Sequence, residues 1–284
     1  MVPAVTNLSC YKFAPLEQLE AWRERLLAAC QDQGLKGTIL LAPEGINFFI
    51  AGPAAPLETV VALIRSIPGL AEIKPKESPS HNQPFKRMLV KVKKEIIAFG
   101  VDGVDPARKP APKISARELK EWLDEGRPLQ LLDTRNDYEV RLGTFRGAII
   151  PGINNFRDFP EAVQKLDPSL KDQPVVMFCT GGIRCEKAGP YMELQGYKNI
   201  LQLEGGILKY FEEVGGAHYE GECFVFDERV GVDSSLHETD SVLCYNCQMP
   251  LLPSDLRHEH YVYEQSCHHC FNGKPKGRGN TAKV

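Results

Sequence analysis

Val175-Val176-Met177-Phe178-Cys179-Thr180-Gly181-Gly182-Ile183-Arg184 is the stretch on which the fold of this chain turns. Four apolar residues have the length and character of a buried strand, and the residues after Arg184 read as a helix. Two glycines at a strand-to-helix turn let the backbone curl until several N–H groups point inward. The helix N-terminus adds partial positive charge, and Arg184 adds a permanent cation. All three favour S⁻ over SH, so Cys179 is expected to be a thiolate near neutral pH. Each unit of pKa depression corresponds to about 1.36 kcal/mol of preference for the charged form.

Working outward, Leu129 to Asp133 and Ile200 to Leu203 are further apolar runs, separated from the first by helical patterns. Buried runs alternating with helices indicate a parallel α/β sheet, placed at residues 115–216. The unit opens at Ser115, with Glu118 three residues on in the capping-box arrangement. Gly189-Pro190 falls inside the helix after the loop, where a proline removes a hydrogen bond and kinks the chain. Asp133, Arg135 and Glu139 are expected to fasten neighbouring loops.

Upstream, Val5 to Phe13 predicts a strand, and Leu16, Leu19, Trp22, Leu26 and Cys30 mark a helix with one apolar face. Strands at Thr38–Ala42 and Ile46–Ile50 flank the turn Pro43-Glu44-Gly45. Leu57, Val60, Val61 and Ile64 mark a second helix, and Met88–Val92 and Ile96–Phe99 read as further strands. The order βαββαβ predicts a ferredoxin-like, acylphosphatase-like α+β domain over residues 1–100. That fold hosts many functions and names none. Residues 101–114, with Gly103, Pro106, Pro110 and Pro112, predict a semi-rigid connector.

Downstream, residues 217–284 lose periodicity and carry Cys244-x-x-Cys247 and Cys267-x-x-Cys270, with 19 residues between the pairs. That spacing falls in the range of four-cysteine zinc knuckles, so a structural zinc is expected in a small cysteine-rich extension, with His258, His260, His268 and His269 as alternative ligands. The total of nine cysteines is odd, and the start Met1-Val2-Pro3-Ala4 lacks the basic and apolar regions of a secretory signal. Metal or catalytic use is therefore expected over a disulfide framework, in the cytoplasm. No run approaches the ~20 apolar residues of a membrane span. Thirty-four basic against 37 acidic residues exclude a globally basic nucleic-acid coat. Local basic stripes remain: Lys86, Arg87, Lys91, Lys93 and Lys94; Arg108, Lys109 and Lys113; and Lys274, Lys276, Arg278 and Lys283.

Leu132-Asp133-Thr134-Arg135, Glu139, Gly143, Gly147-Ala148-Ile149, the Cys179–Arg184 loop and Leu203-Glu204-Gly205-Gly206 resemble the successive signatures of a rhodanese domain, whose loop cysteine carries a persulfide. Four residues lie between Cys179 and Arg184, as in the small sulfurtransferase loop. The related phosphatase loop is one residue longer and follows a histidine, where this chain has Phe178. Gly143-Thr144-Phe145 replaces the usual Gly-His-Ile, and Cys185 replaces a small hydroxyl residue. The string from Cys179 through Arg184, Cys185, Glu186 and Lys187 to Ala188 is similar to the bacterial-type tRNA uridine hydroxylases. Those proteins also carry an acylphosphatase-like N-terminal domain and a cysteine-containing C-terminal extension.

The resemblance implies oxygen-dependent conversion of the wobble uridine of certain tRNAs to 5-hydroxyuridine. Dioxygen is then the co-substrate and the tRNA anticodon loop the partner; no flavin, haem or NAD motif, membrane contact or obligate protein partner is expected. Cys179 aligns with the active-site cysteine, as nucleophile or as persulfide or oxygen carrier. Thr180, Gly181, Gly182 and Ile183 form the substrate loop, Arg184 can stabilise anionic charge, and Cys185 can resolve an oxidised Cys179. The basic stripes Lys86, Arg87, Lys91, Lys93, Lys94, Lys274, Lys276 and Arg278 become phosphate contacts, and Phe156, Phe159 and Tyr245 are candidates for stacking a base. A persulfide-carrying sulfurtransferase and an RNA-binding scaffold on an inactive rhodanese fold remain alternatives.

Overall fold

The computed structural model describes residues 5–273. The chain divides into two compact units, one ending at Ala98 and the other beginning at Phe99. The first contains β1 (Val5–Phe13), α1 (Leu19–Asp32), β2 (Lys36–Ala42), β3 (Gly45–Gly52), α2 (Ala54–Arg65), β4 (Lys76–Ser80) and β5 (Met88–Val92). Its sheet runs β4-β1-β3-β2-β5, antiparallel except between β2 and β5. Leu57, Val60, Val61 and Ile64 recur on one face of α2 and pack with Leu26 and Cys30 of α1 against Ile39, Leu41, Ile46, Phe48 and Ile50.

The strand that completes the ferredoxin-like order is one that apolar periodicity does not mark. Lys76-Glu77-Ser78-Pro79-Ser80 is polar, yet it pairs with β1 as an edge strand, where a proline and a charged rim are tolerated. Met88–Val92 is an additional edge strand beside β2. The strand expected at Ile96–Phe99 does not form. Ile96 N–H donates to Glu44 Oε1 at 2.7 Å and its carbonyl accepts from Asn47 Nδ2 at 3.2 Å, so side chains satisfy the backbone in place of a ladder.

The second unit contains β6 (Lys113–Ile114), α3 (Ala116–Asp124), β7 (Gln130–Asp133), α4 (Asp137–Val140), β8 (Gly143–Phe145), α5 (Phe159–Val163), β9 (Pro174–Phe178), α6 (Ile183–Leu194), β10 (Asn199–Leu203), α7 (Gly206–Val214) and β11 (Tyr219–Gly221). A parallel sheet runs β6-β10-β9-β7. Ser115 Oγ accepts from Glu118 N–H at 3.2 Å and starts α3, which is the serine half of the expected capping box. Among the described residues Glu118 does not return a side-chain bond to the Ser115 amide. Helix α6 continues through Gly189-Pro190, buried on nearly every side. Ala111 is also buried, and Lys109 and Lys113 pair with Glu193 and Glu186 of α6 at 2.6 and 3.1 Å. Phe156 and Phe159 are not surface platforms. They are 5% and 0% exposed and pack around Phe99, so burial removes them as base-stacking candidates. Two ribbons follow, β12 (Cys223–Phe224) with β13 (Gly231–Val232) and β14 (Val242–Leu243) with β15 (Pro250–Leu251).

At the end of β7, Asp133 and Arg135 form a fully buried ion pair, Oδ2 to Nη2 2.7 Å. Arg135 also donates to Gly143 O at 2.7 Å, and Thr144 Oγ1 donates to Asp133 Oδ2 at 2.7 Å, which fastens β8 to the sheet. Asp133→Ala leaves that guanidinium buried without its counter-charge, at a cost of about 3–5 kcal/mol. Urea unfolding of the full chain should show the drop; a loss below ~1 kcal/mol would contradict the fastening role.

Candidate active site

Cys179 follows β9 directly, and the loop enters α6 at Gly182, whose φ of 100° lies in the left-handed region. Gly182 N–H donates to Cys179 Sγ at 3.1 Å. The loop carbonyls turn the other way: Cys179 O accepts from Ile207 N–H at 3.0 Å and Thr180 O from Leu208 N–H at 3.1 Å. These donors are orphan groups at the start of α7, so one helix end holds the loop while its amides face the sulfur. The approach is close. A Cβ on Gly206 would lie 2.4 Å from Cys179 O and 2.8 Å from Gly182 N, and Gly206 has φ +68°. Only glycine fits there, which gives the Leu203–Gly206 signature its physical meaning.

Arg184 is nearly buried, and both its Nη atoms reach Glu139, at 2.5 Å to Oε2 and 2.7 Å to Oε1. Glu139 also accepts from Thr180 Oγ1 at 3.3 Å and from Asn136 N–H at 3.1 Å. The sequence marked Glu139 as a loop fastener; its work as the partner that aims Arg184 depends on a contact 45 residues away, which local spacing does not reveal. Cys185 lies in the same cluster, its Sγ 3.6 Å from Thr134 Oγ1.

Burial pushes the Cys179 thiol up in pKa, but a hydrogen bond from Cys185, the charge of Arg184 and the amides of Arg184 and Gly182 together outweigh it. The result is a pKa of about 5. Burial and the negative sulfur of Cys179 push Cys185 well above its ordinary value, so Cys185 keeps its proton and is the donor. For Arg184, burial works against the charge and Glu139 restores it. Cys179 itself is 0% exposed; of the loop, only Gly181 and Ile183 are half-buried. The sulfur therefore has no direct contact with solvent in this conformation.

Cys244, Cys247, Cys267 and Cys270 come together with their sulfurs all within 4.8 Å. The closest pairs are 3.7, 3.8 and 3.9 Å apart. A tetrahedron of sulfurs around a metal at ~2.3 Å has edges of about 3.8 Å, so the quartet fits a four-coordinate ion. Lys86, Arg87, Lys93 and Lys94 are exposed beside β5, and Lys91 is half-buried on it. Tyr245 is exposed in the first knuckle. Lys274, Lys276, Arg278 and Lys283 lie outside the described residues. Among the described residues no helix is long and apolar enough to cross a membrane.

A parallel sheet ending in an amide-lined cysteine loop defines a rhodanese-type domain, and residues 115–213 match the Rhodanese-like domain family. Residues 5–96 match the UPF0176 acylphosphatase like domain. The chain is 48% identical over 277 residues to the tRNA uridine(34) hydroxylase of Cupriavidus taiwanensis, covering 96% of this chain and 98% of that one. It is 47% identical over 275 residues to the tRNA uridine(34) hydroxylase of Burkholderia ambifaria, covering 94% and 97%. It belongs to the tRNA uridine(34) hydroxylase family. Among solved structures it is similar to a rhodanese-like domain protein from Staphylococcus aureus, with 27% identity, TM-score 0.30 and coverage of 35% and 90%. A human single domain sulfurtransferase gives 25% identity, TM-score 0.31 and coverage of 36% and 97%.

Alkylation of Cys179 by iodoacetamide, followed on its own peptide by mass spectrometry, should be nearly flat from pH 8 to ~6. It should then fall on acidification through about 5, as the thiolate is protonated. Cys185→Ala removes a donor and should move that midpoint upward, whereas Cys185→Ser keeps an O–H donor and should hold it. An unmoved midpoint in Cys185→Ala would remove Cys185 from the control of Cys179.

Proposed function

We propose that this chain hydroxylates C5 of uridine 34 in tRNA, forming 5-hydroxyuridine with dioxygen as co-substrate. The observation that carries the proposal is near-full-length 48% identity to a relative of that name, in a chain whose loop cysteine is held as a thiolate. Thiolate addition to uracil C6 makes C5 carbanion-like, its attack on dioxygen forms a C5 hydroperoxide, and loss of the C5 proton then breaks the C6–S bond and releases the Cys179 thiolate. C5–H, dioxygen, two electrons and two protons become C5–OH and water. Cys179, freed from C6, takes the terminal oxygen of that hydroperoxide as a sulfenic acid and leaves C5–OH, and the adjacent Cys185 closes on it to a disulfide with loss of water. The pair thus supplies both electrons and one proton, solvent supplies the other, and an external thiol then reduces the disulfide. Arg184 and the loop amides hold negative charge as it develops on the substrate oxygen.

Lys86, Arg87, Lys91, Lys93 and Lys94 supply tRNA phosphate contacts, which would make binding salt-dependent. The setting is the cytoplasm, where tRNA is modified. The cysteine quartet holds a structural zinc, supported by sulfur spacings that suit its coordination sphere.

Purified protein, unmodified tRNA, a thiol reductant and isotopic dioxygen should give 5-hydroxyuridine carrying the label, and Cys179→Ala should abolish it. Undiminished product from Cys179→Ala removes the sulfur from the mechanism; thiouridine in its place would favour sulfur transfer. Metal analysis of the fresh, reduced protein should find about one zinc per chain, and a chelator should lower the melting temperature. Metal-free protein with unchanged melting would end the zinc assignment.

A further inference from the structure

A buried sulfur that must meet a pyrimidine needs a surface that receives the base first. One exposed aromatic ring touches the loop and has no part in the chemistry above. Phe226 is 39% exposed, whereas its neighbours Phe224 and Val225 are 2% and 5% exposed. The Arg184 guanidinium carbon lies 5.7 Å from the centre of the Phe226 ring. Phe224 meets the same ring in a T-shaped contact at 5.2 Å. Because Arg184 is also the cation beside Cys179, a connected series runs from sulfur to solvent: Cys179, Arg184, Phe226.

The hairpin presenting this ring is tightly built. Val225 N–H donates to Val230 O at 2.9 Å, Val230 N–H to Asp227 O at 3.2 Å, and Asp227 pairs with Arg229 at 2.6 Å under near-complete burial. Val230 sits at φ +60°, a left-handed conformation that a β-branched residue rarely adopts. Backbone strain of this kind persists only where the surroundings impose it, and it clusters in segments that contact ligands. The Phe224 carbonyl lies 3.4 Å from Thr180 Oγ1 and shares that hydroxyl's one proton with Glu139, which brings the hairpin against the loop.

We propose that Phe226 is a specificity-determining residue that stacks against the splayed-out uracil on its way to Cys179; this rests on the hydroxylase function proposed above. A phenyl face holds a nucleobase without needing a hydrogen-bond pattern, and a rigid hairpin pays little entropy to present it. The ring chooses a planar base over other groups, and Cys179 then acts on it.

The test is kcat/KM for 5-hydroxyuridine formation by the full-length protein on unmodified tRNA, read beside the pH midpoint of Cys179 alkylation. Phe226→Ala and Phe226→Leu should lose about tenfold or more, chiefly through KM, while Phe226→Tyr and Phe226→Trp stay within about threefold. The alkylation midpoint should not move in any of them. Wild-type efficiency in Phe226→Leu overturns the stacking role, because a non-aromatic side chain of similar bulk then suffices. A shifted midpoint with lost activity in Phe226→Tyr also overturns it, since the ring then acts through Arg184. Absence of product from the wild-type protein overturns the hydroxylase function, and this inference with it.

Discussion

A sulfur with no solvent contact carries negative charge only if the protein supplies what water would. Here that supply is the amide of Gly182, the thiol of Cys185 and the field of Arg184. Each depends on something farther away. The amides point inward because the first turn of α7 takes the loop carbonyls, and α7 can come that close because residue 206 has no side chain. Arg184 stays aimed because Glu139 grips it with both oxygens. Isolated, that ion pair would gain little from its burial. Placed beside a thiolate, it turns an expensive buried charge into a fixed element of the site.

The division of labour between the two thiols follows from the same arrangement. One negative charge in a confined space raises the cost of a second, so Cys179 and Cys185 do not ionise together. The sulfur with the amides and the arginine takes the charge, and the other keeps the proton and donates it as a hydrogen bond. A small hydroxyl at position 185 would donate equally well but could not form a disulfide. Cysteine at that position makes the donor role available while leaving a second, protonated sulfur beside the first.

Much of this was legible in the sequence, and what escaped did so for definable reasons. The Cys179 loop could be read because glycines, arginine and cysteine lie within a few residues, and the chemistry of a loop is local. The Ser115 cap and the apolar faces of α1 and α2 were legible for the same reason. Glu139 could be seen but its partner could not, because the contact spans the fold. The strand at Lys76–Ser80 was hidden because an edge strand needs no apolar alternation, and Ile96–Phe99 misled because its apolar residues are anchored through side-chain hydrogen bonds. Phe156 and Phe159 show the remaining limit: composition cannot tell a stacking ring from a core ring, and only burial separates them from Phe226.

Burial also gives the cysteine-rich extension a place in the site. The four knuckle cysteines, Met249 and Leu251 pack in one apolar cluster with Tyr138, Leu142, Phe224 and Val230. Tyr138 precedes Glu139 on α4, and Phe224 gives its carbonyl to Thr180, so this cluster stands behind both residues that steady the loop. Val230 closes the hairpin that carries Phe226. This region is built of two-residue strands and short turns, and its four cysteine sulfurs converge at one point within that cluster. The extension therefore braces the outer side of the loop as the sheet braces the inner side, and the sulfur lies between two supports of unrelated construction.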